Sequence, residues 1–318
     1  MTEPTPTGVL LMTYGSPSSL EEADVGRYLA AVRGGRAAGT ELVVEFTRRY
    51  RVIGGSPLVE RTREQAAALE RRLGDDTLVR AAMRFSEPSI ESVLREMGEA
   101  GVSRAVGIIL SPQYSLLLMG GYARALDAAR EALGPRAPEV IVAGAWHRER
   151  ALVEALGGRI RDALATDGGG DASRDPVLLT AHSLPRAVAE REPGYLAQLR
   201  ESAELVAGAA GLPDDRWTFC WQSAGHEPGE WMKPDFSDLM PELASAGHRR
   251  VVVAPIQFLA DHLEILYDLD VGARRQAESA GLRFRRIDSL NADPGLVDAL
   301  AAVVRTNRVR GRRAPDRS

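Results

Sequence analysis

The sequence predicts an α/β protein: two similar, doubly wound domains in tandem, each a four-stranded parallel sheet flanked by helices. Three features lead there. Short apolar or β-branched runs recur, each closed by a turn signal and followed by a longer amphipathic stretch, the alternation expected of parallel βαβ units. The runs are apolar almost throughout, as strands covered on both faces must be. The 318-residue chain holds four such runs in each half, and that length favours two domains of roughly 150 residues.

In chain order the predicted strands of the first half are "GVLLMTYG", "LVRAAMRF", "RAVGIILSPQYS" and "EVIVAGAW"; those of the second are "PVLLTAHSLP", "RWTFCWQSAG", "RRVVVAPIQFL" and "LRFRRIDSL". Amphipathic segments such as "TREQAAALERRLG" (62–74) and "SIESVLREMGEAG" (89–101) lie between them and predict helices. The domains are expected over 1–148 and 149–292. A helix at about 293–307 packs back on one of them, the first in our assignment, and a basic tail, 308–318, is expected to be solvated and disordered. The glycine-rich "TDGGGDASRD" (166–175) reads as a surface loop within the second domain.

Composition removes several function classes. Hydrophobic residues make up 44% and charged residues 26%, ordinary for a soluble globular protein, and the net charge of −4 gives no support to nucleic-acid binding. A single cysteine, Cys220, excludes an internal disulfide and an iron–sulfur cluster held by this chain alone. The start lacks a signal-peptide pattern and no window reaches the ~20 apolar residues of a membrane span, so a cytoplasmic protein is expected. The six arginines of "RTNRVRGRRAPDRS" leave open a weak peripheral contact with an anionic membrane. Neither "VIGGSP" nor "LMGGYA" follows a strand in the G-x-G-x-x-G form, which counts against a nucleotide-dependent oxidoreductase.

Ligands of open parallel sheets bind outside the carboxyl ends of the strands. Those ends carry Tyr14, Gly15 and Ser16; Gln113, Tyr114 and Ser115; His182 and Ser183; Gln222 and Ser223; and Gln257 through Glu264. His182 is placed for metal ligation or proton transfer, although a packed or surface histidine fits the same position. In "FLADHLEILYDLD" an α-helical period puts Asp261, Glu264 and Asp268 on one face and Asp270 on another. Aligned carboxylates suit a hydrated divalent cation, and equally a solvated helix face. His262 reads as structural, His248 as a surface turn, His226 as a loop residue, and His147 shares no ligand spacing with them. Arg33 and Arg36, with Arg48, Arg49 and Arg51, form a basic region suited to carboxylates or phosphates. "SLLLMGGY" (115–122) reads either as a buried helix start or as a flexible apolar wall in which Met119 adapts to a flat ligand.

Six landmarks in order, "TYGSP" (13–17), "RRYRVIGGSPL" (48–58), "SPQYS" (111–115), "AHSLP" (181–185), "WQSAGHEPGEWMKP" (221–234) and "ADHLEILYDLD" (260–270), make the chain resemble a ferrochelatase over nearly its whole length. The resemblance implies two Rossmann-like domains around a porphyrin cleft and insertion of ferrous iron into the macrocycle. It implies that His182 and Glu264 form the catalytic metal pair, that Asp268 lies on the metal's path, and that Tyr14 contacts the metal from the opposite porphyrin face. By the same resemblance Arg33, Arg49, Tyr50, Ser56 and Tyr122 hold the macrocycle and its propionates, while Ser223 and Trp231 line the cleft. No tightly bound cofactor is implied, since iron is a substrate. The partners implied are porphyrin, ferrous iron and neighbouring haem-pathway enzymes, with the protein itself monomeric.

The short, cluster-free chain is similar to the branch that metallates coproporphyrin III. It departs from other members at Gly272, where some continue the acidic track, and at Gly34, where many carry a second arginine. Three rivals stay open: a protoporphyrin IX ferrochelatase, insertion of another divalent metal into a different tetrapyrrole, and a haem or porphyrin carrier using Tyr14 as axial ligand.

Overall fold

The computed structural model describes residues 6–166, 175–225 and 229–312. The predicted loop at 166–175, His226 and the end of the basic tail fall largely or wholly outside that range. Two compact units emerge. The first takes in the chain up to Pro112, Leu116–Glu149 and the segment from Asn291 onward; the second comprises Gln113–Ser115 and Arg150–Leu290.

All eight predicted strands form. In the first unit β1 (Thr7–Thr13), β2 (Thr77–Met83), β3 (Arg104–Ile109) and β4 (Glu139–Val142) make a parallel sheet in the order β2-β1-β3-β4. In the second, β5 (Val177–His182), β6 (Trp217–Gln222), β7 (Arg250–Pro255) and β8 (Arg283–Arg286) repeat that order as β6-β5-β7-β8. The central strands are apolar because both faces are covered: Val9, Leu10, Leu11 and Met12 of β1, and Val251, Val252 and Val253 of β7, are fully buried.

Helices Glu22–Val32, Thr40–Val52 and Leu58–Leu73 connect β1 to β2, Ile90–Glu99 connects β2 to β3, and Leu116–Leu133 connects β3 to β4. The helix Ile90–Glu99 starts where Ser89 accepts a bond from the Ser92 N–H, a side-chain N-cap. The last helix, Pro294–Arg312, lies in the first unit against Leu58–Leu73, with Arg72 paired to Asp298 at 2.7 Å. In the second unit Arg150–Ala165 packs on Pro193–Ala210. The contact is close at Gly157, where an added Cβ would lie 2.8 Å from Ala209.

The segment after β7 corrects the α-helical reading of the acidic stretch. Residues Glu264–Ala273 form a π-helix, whose i→i+5 hydrogen bonds make a wider turn than that of an α-helix. Asp261 precedes it in the loop, so it does not share a helix face with Glu264 and Asp268. Among the described residues no helix is long and apolar enough to cross a membrane.

Candidate active site

In both sheets the order reverses between the two central strands, and that switch point is where open α/β sheets hold ligands. In the second unit it lies between β5 and β7. His182 is the last residue of β5, and the chain leaving β7 runs through Ile256–Leu263 to Glu264, the first residue of the π-helix. His182 Nε2 stands 3.4 Å from Glu264 Oε2, with both side chains about one-third exposed. The His182 Nδ1 lies 2.5 Å from the Ser183 carbonyl, which only accepts, so Nδ1 carries a hydrogen and Nε2 is the nitrogen turned toward Glu264, with a lone pair there when the ring is neutral. Glu264 Oε2 is itself buried and accepts no hydrogen bond among the described residues. A lone pair and an unsatisfied carboxylate oxygen face to face repel each other unless a cation or a proton lies between them.

The neighbouring acids divide by partner. Asp268 accepts from Ser223 Oγ at 2.6 Å; Ser223 follows β6 in left-handed backbone (φ 56°), uncommon outside glycine and costly unless its surroundings hold it. Asp270 takes both arms of Arg286 at 2.8 and 2.9 Å, and Asp261 accepts from Ser289 at 2.7 Å. Burial alone would push the Arg286 guanidinium down, but the Asp270 bonds and the surrounding acids hold it above its usual value. Asp261 and Asp270 therefore tie the π-helix and its approach to the strand and loop around β8. Among the described residues no three His, Cys, Asp or Glu side chains converge to hold a metal. His262 Nδ1 donates to the Ala260 carbonyl at 2.9 Å and the ring lies against Phe258, in keeping with a structural role. Trp231 sits directly over Gly225, where an added Cβ would meet the indole at 2.2 Å.

In the first unit Tyr14 projects from the end of β1 and is 44% exposed. Its ring meets Phe85 edge-on at 5.2 Å and Tyr122 at 6.1 Å, and the Arg84 guanidinium lies over all three rings at 4.5–5.8 Å. Arg84 occupies space that only a glycine leaves open, because a Cβ on Gly121 would fall 1.8 Å from its guanidinium. Burial holds the Tyr122 phenol well above its ordinary pKa, Tyr14 adds to the rise and Arg84 opposes it, so Tyr122 stays neutral. Gly15 follows Tyr14 at φ +92°, and its carbonyl accepts from the Tyr28 hydroxyl at 2.9 Å.

The remaining residues implied by resemblance are dispersed over helices of the first unit. Arg33 ends the helix Glu22–Val32. Arg49 and Arg48 both bind Glu45 at 2.8 Å, and their hydrogen bonds lower that carboxyl to about 2. Tyr50 is buried, and Ser56 Oγ accepts from the Leu58 N–H at the start of the next helix. Of the two readings of the apolar stretch, the helix start is what forms: Leu116 opens the helix Leu116–Leu133, in which Met119 is buried while Leu116 and Leu117 are exposed. Arg84 and Phe85 were missed by the sequence reading, although they lie just past the carboxyl end of β2 and the strand-end rule reaches them. Tyr195, buried in a helix and tied to Gln257, gave no sequence signal.

The family model described as Ferrochelatase matches residues 6–308. A ferrochelatase of Deinococcus radiodurans is 37% identical over 96% of each chain, and the coproporphyrin III ferrochelatase of Bacillus subtilis is 34% identical over 93% of this chain and 96% of that one. A relative of the same name from Geobacillus sp. (strain WCH70) is also 34% identical, again over 93% and 96%. Among solved structures, SirB from Bacillus subtilis with Fe3+ superposes with a TM-score of 0.59 over 96% of this chain and 97% of its own. At 11% identity that likeness speaks to the fold alone.

Proposed function

Because the chain belongs to the ferrochelatase family, we propose that it inserts ferrous iron into a porphyrin at His182 and Glu264, and that its substrate is coproporphyrin III. The observation that carries the reading is the facing of His182 Nε2 and Glu264 Oε2, with the imidazole tautomer fixed by Ser183.

A porphyrin N–H is a weak acid, so metallation needs a base close to the reacting nitrogen and a metal that has shed part of its water. His182 Nε2 accepts the displaced pyrrole proton. Glu264 attracts the ion, and Asp268, held by Ser223, gives it an earlier oxygen contact. In the first unit Tyr14, packed against Phe85, Tyr122 and Arg84, is the residue that the family resemblance offers as a further metal contact. Trp231, seated over Gly225, offers apolar surface to the macrocycle. Arg33 and Arg49, with Tyr50 and Ser56 nearby in sequence, serve the propionates; a substrate with four carboxylates suits this arginine-rich region. No iron–sulfur cluster enters the scheme: Cys220 is the one cysteine, and burial pushes its thiol far up, where thiolate ligation is disfavoured. The coproporphyrin assignment is supported by the names of the Bacillus and Geobacillus relatives. Any handover of porphyrin or product to neighbouring haem-pathway enzymes belongs to the same reading.

The test is anaerobic incubation of the purified protein with Fe2+ and either coproporphyrin III or protoporphyrin IX, followed by absorption spectroscopy. Rapid metallation of coproporphyrin III with little of the other is expected. Preference for protoporphyrin IX would overturn the substrate and keep the reaction. Tight binding of finished haem without metallation of either porphyrin would make the protein a carrier.

A further inference from the structure

We propose that Gln257 is a positioning residue for His182, its side-chain amide standing in for a missing rung of the β5–β7 ladder. The inference rests on His182 and Glu264 being the metallation pair. The two strands pair as far as Thr180↔Pro255, and the last rung runs from the Ile256 N–H to the Thr180 carbonyl at 3.1 Å. Two residues further along β5 the next donor in step is the His182 N–H, whose regular acceptor would be a backbone carbonyl of the neighbouring strand. It donates instead to Gln257 Oε1 at 2.8 Å.

The orientation of this amide follows from its neighbours. A backbone N–H only donates, so the oxygen must face His182, and the amide nitrogen then meets the hydroxyl of Tyr195 at 2.5 Å. Tyr195 is buried in the helix Pro193–Ala210. One side chain thus joins the end of β5, the loop leaving β7 and a packed helix. Because a side chain fills the rung, the backbone is released from the sheet after Ile256 and turns toward Glu264. The same bond fixes the backbone of the residue whose Nε2 must face that carboxylate. On its other edge His182 is followed by Ser183, whose N–H donates to the Gln222 carbonyl at 2.8 Å, so the Gln257 bond completes the clamp. Misplacing a reacting group by ~1 Å costs on the order of a hundredfold in rate.

The full-length protein carrying Gln257→Leu, close in volume and without polar ends, tests the idea beside Gln257→Glu. The glutamate keeps an acceptor for His182 and accepts from the Tyr195 hydroxyl. We expect Gln257→Leu to lower kcat for coproporphyrin III metallation by about 10- to 100-fold with KM for the porphyrin nearly unchanged. Zn2+ affinity of the porphyrin-free protein, read by calorimetry, falls about tenfold in the same variant. Gln257→Glu restores most of kcat. Unchanged kcat and Zn2+ affinity in Gln257→Leu, a loss confined to KM, or an equal loss in Gln257→Glu would each overturn the proposal. Should Gln257→Leu fail to fold, Tyr195→Phe removes the far anchor while keeping the ring, and a fall in kcat at constant KM is expected; no change overturns the idea. A wild-type protein that metallates no porphyrin removes the functional reading itself, whereas active wild type with an unaffected Gln257→Leu removes only the positioning role.

Discussion

The hydrogen on His182 Nδ1 decides what the imidazole can do, because it leaves Nε2 as the only basic position and aims it at Glu264. Replacing His182 by alanine should therefore lower kcat by at least ~100-fold while porphyrin binding, followed by fluorescence quenching, stays within a few-fold. Metallation that survives in this variant would remove His182 from the chemistry. Its place at a strand's carboxyl end made it legible in the sequence, and the Glu264 partnership was legible only through resemblance, since nothing in spacing tells which acid of four meets the histidine. Glu45 was not legible at all. It pins Arg48 and Arg49, two of the arginines assigned to an anionic substrate, so an incoming propionate competes with a carboxylate of the protein. Glu45→Gln is expected to lower KM for the porphyrin by several-fold, measured at constant ionic strength, where an increase would show that Glu45 orients Arg49 rather than occupying it. The lowered pKa of Glu45 means that its ion pairs contribute above the ordinary carboxylate range and are lost as pH falls toward about 2. At this exposure that contribution is below about 1 kcal/mol, so the substitution should leave stability nearly unchanged at neutral pH.

Among the elements, the π-helix departs furthest from what the residues announced. Ile265, Leu269 and Ala273 are spaced by four along it and share one core cluster with Ala277 of the α-helix Arg274–Ser279 that follows. A spacing of four lies between the 3.6 residues per turn of an α-helix and the wider turn of a π-helix, so it fits either. The spacing was present in the sequence, but a reading at 3.6 residues per turn gives weight to the acids instead and sets Asp261 beside Glu264 and Asp268. What anchors the element is the fork from Arg286 to Asp270, with Arg286 only 11% exposed in its side chain. Asp270→Asn leaves that guanidinium largely buried and short of its charge partner, so we expect a loss of about 3 kcal/mol in denaturant unfolding. Asp268→Asn keeps an acceptor for Ser223 and should cost less than about 1 kcal/mol while slowing metallation. If the two substitutions cost the same stability, the division of the acids into anchoring and metal-path groups is wrong.

The two sheets repeat one strand order but carry different chemistry at their carboxyl ends: a base and an acid at the end of β5 and the start of the π-helix, and an aromatic cluster around Arg84 at the ends of β1 and β2. The strands were legible because a strand covered on both faces has to be apolar nearly everywhere. The partnership of the last helix was less so, since an amphipathic pattern shows that a face must be covered without saying by what. Pro294–Arg312 buries Leu296, Leu300, Val303 and Val304 almost completely in the first unit, far along the chain from the strands it supports. Truncating a fully buried leucine typically costs about 2–5 kcal/mol, against total stabilities of about 5–15 kcal/mol. Leu300→Ala should therefore lower the urea midpoint markedly, and a chain ending at residue 293 should lose cooperative unfolding of the first unit altogether. Following Trp146, which lies in that unit, against tryptophans 217, 221 and 231 of the second separates the two transitions. Single-tryptophan versions that retain a native midpoint for Trp146 after truncation would show that the helix covers the first unit without being needed to fold it.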